Sequence, residues 1–240
     1  MTHKFPSLLV LLSGALIGAS QAAITDWMVA AAATSGNVTV SNNGGAGFTF
    51  DGTSGIAYDF GELDALGGKP VDGSTVEFII NFADSGPSLS IATVTGWSPG
   101  NEKNQFKLEQ WNNTGKFGIT WEGFADYSFN ADSVFNQDVH VVFRRNNSGT
   151  IDLFLDGAYV ETDTGKTNWR MDGGLGMLGA RSNGTTDVAT GDMHGVASYD
   201  TALSNAEISN LYAAFTAIPE PSSISLLGLG GLSLLLRRRR

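Results

Sequence analysis

Short runs of β-forming residues alternate with clusters of Gly, Asn and Asp along most of this chain, and this alternation restricts its fold most strongly. Between residues 76 and 82, Val, Phe, Ile and Phe occupy every second position, which places them on one face of a strand. Residues 139–144 and 150–155 form two further runs around a turn, and Asp156-Gly157 turns the chain into residues 158–160. The pattern predicts an all-β domain built as an antiparallel β-sandwich.

Two other local signals refine this prediction. Residues 105–111 and 117–121 flank an Asn-Asn-Thr-Gly turn and are typical of a hairpin. One convincing helix is predicted, over residues 205–215. Ser204 is its expected N-cap, with Glu207 completing a capping box, and Leu203 and Ile208 are placed to form a hydrophobic staple.

The body resembles the LamG-like family of the laminin G type 3 kind. The resemblance is carried by residues 139–157, which end in Asp-Gly, and by residues 196–212, which contain Ala202-Leu203-Ser204 before the helix. It implies a concanavalin A-like jelly roll with one short C-terminal helix. This chain departs from the family after Gly191, because it reads Met193-His194-Gly195 where the family usually has Ile-Asp-Glu. Any role tied to that acidic pair is therefore not expected here.

The N-terminus is typical of a secretory signal peptide. Lys4 supplies the positive charge, residues 8–17 form the apolar region, and small residues precede a predicted cleavage site after Ala22. The apolar run is too short for a spanning helix, which needs about 20 residues. We therefore expect residues 1–22 to be removed and residues 23–217 to form a single exported domain.

The C-terminus has three parts in order: Pro219-Glu220-Pro221, an apolar run from Ile224 to Leu236, and the cluster Arg237, Arg238, Arg239 and Arg240. Residues 218–240 resemble a PEP-CTERM sorting signal. The resemblance implies processing by an exosortase, after a short transmembrane helix has held the precursor transiently in the inner membrane. An ordinary tail anchor is the alternative, although such anchors are usually longer. We expect the protein in the cell envelope or extracellular matrix, with a membrane-anchored precursor.

Charge and composition exclude several functions. The chain has 14 Lys and Arg against 24 Asp and Glu. Lys4, the four terminal arginines and Glu220 lie in the targeting segments, which leaves 9 basic and 23 acidic side chains, a net charge of −14, in the body. Binding to nucleic acid is not expected, because it requires clustered cations. Cysteine is absent, which excludes thiol catalysis, thiolate metal sites and disulfides.

Aromatic and acidic residues are the candidate ligand-binding groups. Sugar rings stack on exposed aromatic side chains, and the candidates in or beside turns and hairpin edges are Trp97, Trp111, Trp121 and Trp169. No cofactor is required by the sequence. Calcium is a candidate ligand, with Asp187 and Asp192 flanking a glycine-containing loop that offers oxygen ligands.

The sequence favours a non-catalytic binding or structural protein that engages carbohydrate or another extracellular polymer. The alternative is a divergent sandwich-fold glycoside hydrolase acting on exopolysaccharide, and a scaffold without a ligand is a third interpretation. A hydrolase needs two facing carboxylates. The chain lacks the Glu-x-Asp-x-Glu pattern, and we expect Glu109 and Glu122 to be solvated and Asp156 to serve a turn. The histidine spacing does not indicate a zinc site.

Overall fold

The computed structural model describes residues 23–34, 38–63, 73–95, 103–109, 114–123, 125–164, 169, 171 and 173–217. The predicted signal peptide and the predicted sorting tail, with its transmembrane helix, lie outside these residues. Across the described part of the chain, no helix is both long and apolar enough to cross a bilayer.

Two antiparallel sheets form the domain, and this confirms the predicted β-sandwich. The first sheet runs in the order β1-β13-β4-β9-β10-β11, and β2 also pairs with β13. Its strands are β1 (Val38–Ser41), β2 (Phe48–Asp51), β4 (Ser74–Phe82), β9 (Val139–Arg145), β10 (Ile151–Leu155), β11 (Ala158–Thr162) and β13 (Thr190–Tyr199).

The second sheet has six strands in the order β3-β12-β5-β6-β7-β8. These are β3 (Ile56–Glu62), β5 (Leu89–Thr95), β6 (Lys103–Leu108), β7 (Lys116–Trp121), β8 (Ala125–Asp132) and β12 (Gly173–Leu178). The predicted hairpins are present as the pairs β9–β10 and β6–β7.

The main core lies between the two sheets. Val76, Phe78, Ile80 and Phe82 of β4 all point into it and are almost completely buried, as their alternation predicts. Across the sandwich, the rings of Phe106 and Phe143 stack with centroids 4.1 Å apart. Since β6 and β9 belong to different sheets, this contact joins the two layers directly.

A second core lies on the outer face of the seven-stranded sheet, where two helices cover it. Helix α1 spans residues 23–32 and helix α2 spans Asn205–Thr216. Trp27 of α1 and Ile208 and Leu211 of α2 pack with Ile79 of β4. The predicted short C-terminal helix is α2, and this prediction is confirmed, whereas the sequence analysis did not predict α1.

Helix α2 begins as predicted. The Ser204 hydroxyl accepts the Glu207 N–H, and the Glu207 carboxylate accepts the Ser204 N–H over 2.7 Å. Leu203 and Ile208 are both buried in the second core. The cap fixes where the helix starts and therefore how it lies on the sheet.

One hairpin carboxylate departs from its prediction. Glu109 has a φ of +50°, a left-handed conformation that ends β6, and its side chain is buried rather than solvated. Its Oε2 accepts the Gly115 N–H over 2.8 Å. The expectation that Glu109 is a solvated strand residue is therefore wrong, because the carboxylate is used to close the β6–β7 connection.

Candidate functional site

A cavity of about 1060 Å³ opens beside the two helices, where they meet the end of the seven-stranded sheet. Its wall is made by the first residues of α1, the last residues of α2, the turn before β2 and three strand or strand-end positions. The lining side chains and backbone come from Ala23, Ile24, Thr25, Asn42, Gly44, Gly45, Ala46, Gly47, Asn81, Asp138, His194, Phe215 and Thr216. The volume lies at the upper end of the range usual for small-ligand sites.

Three polar side chains meet in this cavity. Asp138 Oδ1 lies 3.1 Å from Nε2 of His194, and the Asn81 amide donates to the same oxygen over 2.8 Å. Asn81 is in β4, His194 is in β13, and Asp138 directly precedes β9. Three adjacent strands of one sheet therefore supply the polar set.

A β-bulge turns His194 toward the cavity. The β13–β4 register shifts between Met193 and Gly195, which makes His194 the extra residue. Gly195 then passes under the indole of Trp27, where an added Cβ would lie 2.4 Å from the ring. The bulge and the close helix contact together hold the imidazole in place.

The His194–Asp138 pair perturbs the ionisation of both groups. The hydrogen bond that His194 donates to Asp138 is the main cause that raises the pKa of His194, and burial opposes it. The hydrogen bond from His194 is the main cause that lowers the pKa of Asp138. Asp192, which lies nearby, raises the pKa of His194 further through its charge. The neighbouring carboxylates Asp138 and Asp192 thus favour the protonated imidazole of His194.

The same geometry leaves hydrogen-bond acceptors available. Both bonds to Asp138 end on Oδ1, so its Oδ2 has no partner among the described residues. Asn81 donates through its amide nitrogen, and its own Oδ1 has no described donor. At a pH above the raised pKa of His194, the neutral imidazole with its proton on Nε2 also offers Nδ1 as an acceptor. Such an array matches groups that donate hydrogen bonds, and hydroxyls are the foremost example.

The turn before β2 forms another part of the cavity wall. The side chain of Asn42 accepts the Gly45 N–H over 3.0 Å, and the Asn43 amide donates to the Gly47 carbonyl over 2.8 Å. Gly47 adopts a φ of +70° and lies against the Met193 carbonyl, so the turn sits directly beside the bulge.

The predicted tryptophans are not brought together at this cavity. Trp169 is buried in the main core, and its indole N–H donates to the Asp163 carboxylate. The expectation of an exposed stacking ring is therefore wrong for Trp169. Trp121 is half-buried and packs against the main core. Trp97 and Trp111 lie outside the described residues.

The two predicted calcium ligands have separate partners. Asp187 Oδ2 accepts Lys107 Nζ over 3.0 Å and the Gln105 amide over 3.1 Å, on the six-stranded sheet. Asp192 accepts the Thr49 hydroxyl over 2.7 Å on the other sheet. Within the described ranges, no group of three or more His, Asp or Glu side chains is arranged to hold a metal ion. The predicted pairing of these carboxylates around calcium gains no support from this geometry.

The remaining carboxylates of the sequence analysis have structural partners. Asp156 has a φ of +50° in the tight turn before β11, as predicted. Asp152 accepts two hydrogen bonds from the Arg144 guanidinium, the shorter over 2.7 Å. The Glu122 side chain is mostly buried, accepts a hydrogen bond from the Ser182 hydroxyl over 2.9 Å and faces Arg181. Glu122 is thus engaged by a loop instead of being freely solvated.

Sequence reasoning singled out neither Asp138 nor Asn81. They lie far apart in the sequence, and only strand pairing brings them together. His194 did carry a signal, since it stands where the resembled family usually has the first residue of an acidic pair. That departure could have marked the position as functional.

The fold defines the class of this protein: a jelly-roll β-sandwich with an open cavity beside the two helices that cover one of its sheets. The family model for the concanavalin A-like lectin/glucanases superfamily matches residues 66–209, more than half of the chain, so the protein belongs to that family. The PEP-CTERM protein-sorting motif matches residues 217–240. This motif marks an exported, envelope-associated protein and implies processing by an exosortase.

Solved structures confirm the fold. The CBM40 domain of the Ruminococcus gnavus IT-sialidase, bound to α2,3-sialyllactose, is similar with a TM-score of 0.52 and 16% identity, over 72% of this chain and 98% of that one. The Trypanosoma rangeli sialidase is similar with a TM-score of 0.53 and 14% identity, but the match covers only 28% of that chain and 72% of this one. No curated protein matches the chain.

Proposed function

We propose that this protein is an exported, non-catalytic glycan-binding protein of the cell envelope or extracellular matrix, and that the cavity around Asp138 and His194 holds the glycan. The observation that carries the proposal is the convergence of Asn81, Asp138 and His194 in an open cavity of about 1060 Å³. Membership of a lectin and glucanase superfamily supports the ligand class, as does the similarity to a CBM40 domain solved with a glycan.

The chemistry of the cavity favours a neutral glycan over an acidic one. Oδ2 of Asp138 and Oδ1 of Asn81, which have no donor among the described residues, can accept hydrogen bonds, and sugar hydroxyls donate them. Phe215 adds an apolar surface for the CH groups of a sugar ring. The positive charge of protonated His194 is paired with Asp138, so a carboxylated sugar would still face nearby Asp192 and the net negative body, and like charge opposes its binding.

Binding without hydrolysis is proposed for a geometric reason. Glycoside hydrolases place two carboxyl groups about 5–9.5 Å apart across the sugar bond. Among the described residues that line the cavity, Asp138 supplies the single carboxyl group, and its Oδ1 is held by His194 and Asn81. This arrangement favours the binding protein over the hydrolase.

The binding proposal is tested by titrating residues 23–217 with neutral oligosaccharides, such as mannan and glucan fragments, and with 3′-sialyllactose as the acidic comparator. We expect a neutral fragment to bind and sialyllactose not to bind. Asp138→Asn should weaken binding on the order of tenfold, since a charged acceptor contributes about 1.5–3 kcal/mol. Asp132→Asn is the matched control, because Asp132 is exposed on β8 and pairs with Lys116.

Two outcomes would contradict the proposal. Equal glycan affinity of the wild type and Asp138→Asn would show that the glycan does not bind in this cavity. Release of reducing sugar from a bound fragment would favour the hydrolase alternative.

Sorting is proposed to depend on the Pro-Glu-Pro motif. Glu220→Ala should leave the precursor in the inner membrane, whereas Glu207→Gln, far from the motif in a helix cap, should be processed normally. Membrane fractionation followed by immunoblotting distinguishes the two. Normal processing of Glu220→Ala would contradict a recognised motif.

A further inference from the structure

The chain contains two Asn-Gly pairs, Asn43-Gly44 and Asn183-Gly184. An asparagine that precedes glycine is prone to lose its side-chain amide in water, because glycine has no Cβ to shield the backbone nitrogen that attacks the side chain. Both asparagines are exposed to solvent. Since the two dipeptides are identical, the structure around each one decides which of them reacts.

The loop between β12 and β13 restrains the second pair with four hydrogen bonds. Asn183 Oδ1 accepts the N–H groups of Thr185 and Thr186 over 3.0 Å each, and the Asn183 amide donates to the Thr186 hydroxyl over 2.8 Å. The Gly184 N–H, which carries the attacking nitrogen, donates to the Arg181 carbonyl over 2.7 Å, and Gly184 is buried. These bonds must open before the nitrogen can reach the side chain.

The turn before β2 leaves the first pair much freer. Gly44 is exposed, and its N–H donates to no group among the described residues. A Cβ added to Gly44 would meet nothing within 4 Å, so the space around the attacking nitrogen is open. The Asn43 side chain is held by one hydrogen bond in the described part of the chain, from Nδ2 to the Gly47 carbonyl over 2.8 Å. Asn43 is therefore the asparagine that the structure leaves able to react.

We propose that Asn43 is a site of spontaneous deamidation and that its products change the wall of the cavity. The Gly44 nitrogen forms a bond to Cγ of Asn43, the Cγ–Nδ2 bond breaks, and the Gly44 amide proton leaves with Nδ2 as ammonia. Water then opens the cyclic imide at either of its two carbonyl carbons, which gives aspartate or isoaspartate. The reaction consumes water, releases ammonia and involves no oxidation or reduction.

Both products disturb the wall beside the proposed binding groups. Asn43 donates to Gly47, and Gly47 lies against the Met193 carbonyl next to His194. A carboxylate has no proton to donate and repels the Gly47 carbonyl oxygen instead. Isoaspartate also lengthens the backbone of the turn, because the main chain then runs through the side-chain carbonyl. Weaker glycan binding is the expected consequence, and this part of the inference rests on the proposed function.

Mass spectrometry tests the modification itself. The purified full chain is incubated in detergent at pH 6 and pH 8, digested, and fragmented by electron transfer, which distinguishes isoaspartate from aspartate. Asn183 is the control within the same molecule. Four restraining bonds must open there against one at Asn43, so deamidation at Asn43 should be at least about tenfold faster. It should also be faster at pH 8, because base removes the Gly44 proton.

Two variants connect the modification to binding. Asn43→Asp carries one product from the start and should bind neutral oligosaccharide on the order of fivefold more weakly, since a hydrogen bond of the turn is lost. Asn43→Gly accepts the φ of +52° at this position and cannot deamidate there. Its affinity should stay constant during incubation, whereas the affinity of the wild type should fall with the extent of reaction.

The outcomes separate this inference from the proposed function. Deamidation at Asn183 as fast as at Asn43, or no isoaspartate at Asn43, would overturn the modification site whatever the protein binds. Deamidation at Asn43 with unchanged glycan affinity would retain the site and refute its effect on the cavity. Fresh protein that binds no oligosaccharide would refute the proposed function, while isoaspartate at Asn43 would still support the modification site.

Discussion

The hydroxyl of Tyr199 donates to Oε1 of Glu77 over 3.0 Å, and both side chains are completely buried beneath the helices on the seven-stranded sheet. His140 lies 3.5 Å from the other carboxylate oxygen, and its ring stacks on Tyr212 of α2. Burial, followed by the charge of Glu77, raises the pKa of Tyr199 far above its ordinary value, so the hydroxyl remains a donor. Tyr199, Glu77 and His140 thus form a buried polar group within the second core, and the Tyr199–Glu77 bond links β13 to β4.

Tyr199→Phe should therefore destabilise the domain. The change leaves Glu77 Oε1 buried without its donor, which costs about 1–3 kcal/mol. Chemical denaturation monitored by tryptophan fluorescence measures the loss. Tyr159→Phe is the control, because Tyr159 is exposed and its hydroxyl meets Thr162 at the surface, so its change should stay within about 0.5 kcal/mol. Equal stability of the two variants would contradict the role assigned to the buried pair.

The His194–Asp138 pair should make stability depend on pH. The pKa of His194 is raised, so its contribution is complete below its ordinary value of 6.5 and is lost as the pH rises through the folded-state value. The pKa of Asp138 is lowered, so its contribution is present above 3.8 and is lost as the pH falls through the folded-state value. The pair therefore stabilises most between these two ordinary values.

His194→Gln should remove this dependence. The stability difference between wild type and variant should be larger at pH 5 than at pH 8, and it should remain below about 1 kcal/mol because both side chains are partly exposed. Thermal unfolding at both pH values provides the measurement. A difference that grows toward pH 8 would have the wrong sign for this pair.

Gly195→Ala should loosen α1. An added Cβ would lie 2.4 Å from the Trp27 ring, so the helix must shift, at a cost of about 1–3 kcal/mol. Gly86→Ala is the matched control, because its added Cβ would meet Leu89 at an ordinary 3.5 Å. In a Trp27→Ala background the Gly195→Ala change should cost much less, and a double-mutant cycle measures the difference. Additive effects would show that the two residues are not in contact.

Ser204→Ala should weaken the attachment of α2 to the sheet. The N-cap hydroxyl accepts the Glu207 N–H, and its loss costs about 1 kcal/mol. Ser204→Asp retains an acceptor at the same position and should preserve stability. Hydrogen exchange of the first helical turn provides a local readout, and unchanged exchange in Ser204→Ala would exclude a functional cap.

The local elements of this domain could be predicted from neighbouring residues in the sequence. The alternation in β4, the β9–β10 hairpin and the cap at Ser204 were predicted because strand period, turn residues and helix caps act over only a few neighbouring residues. The C-terminal sorting motif could also be predicted, since its three parts are contiguous in the sequence. The fold class then followed from the succession of strands and turns.

The tertiary structure alone decided where polar side chains meet and which aromatic rings remain exposed. Asp138 and His194 are 56 residues apart, and only the order β13-β4-β9 places them in one cavity. Trp169 was expected at the surface and is buried. Helix α1 was not predicted, because its apolar residues are stabilised only by packing on the sheet around Ile79. Pairing between distant strands, and the burial of each side chain, depend on the whole chain. The alternation of residues therefore predicts which side chains share a face of a strand, but not which element covers that face.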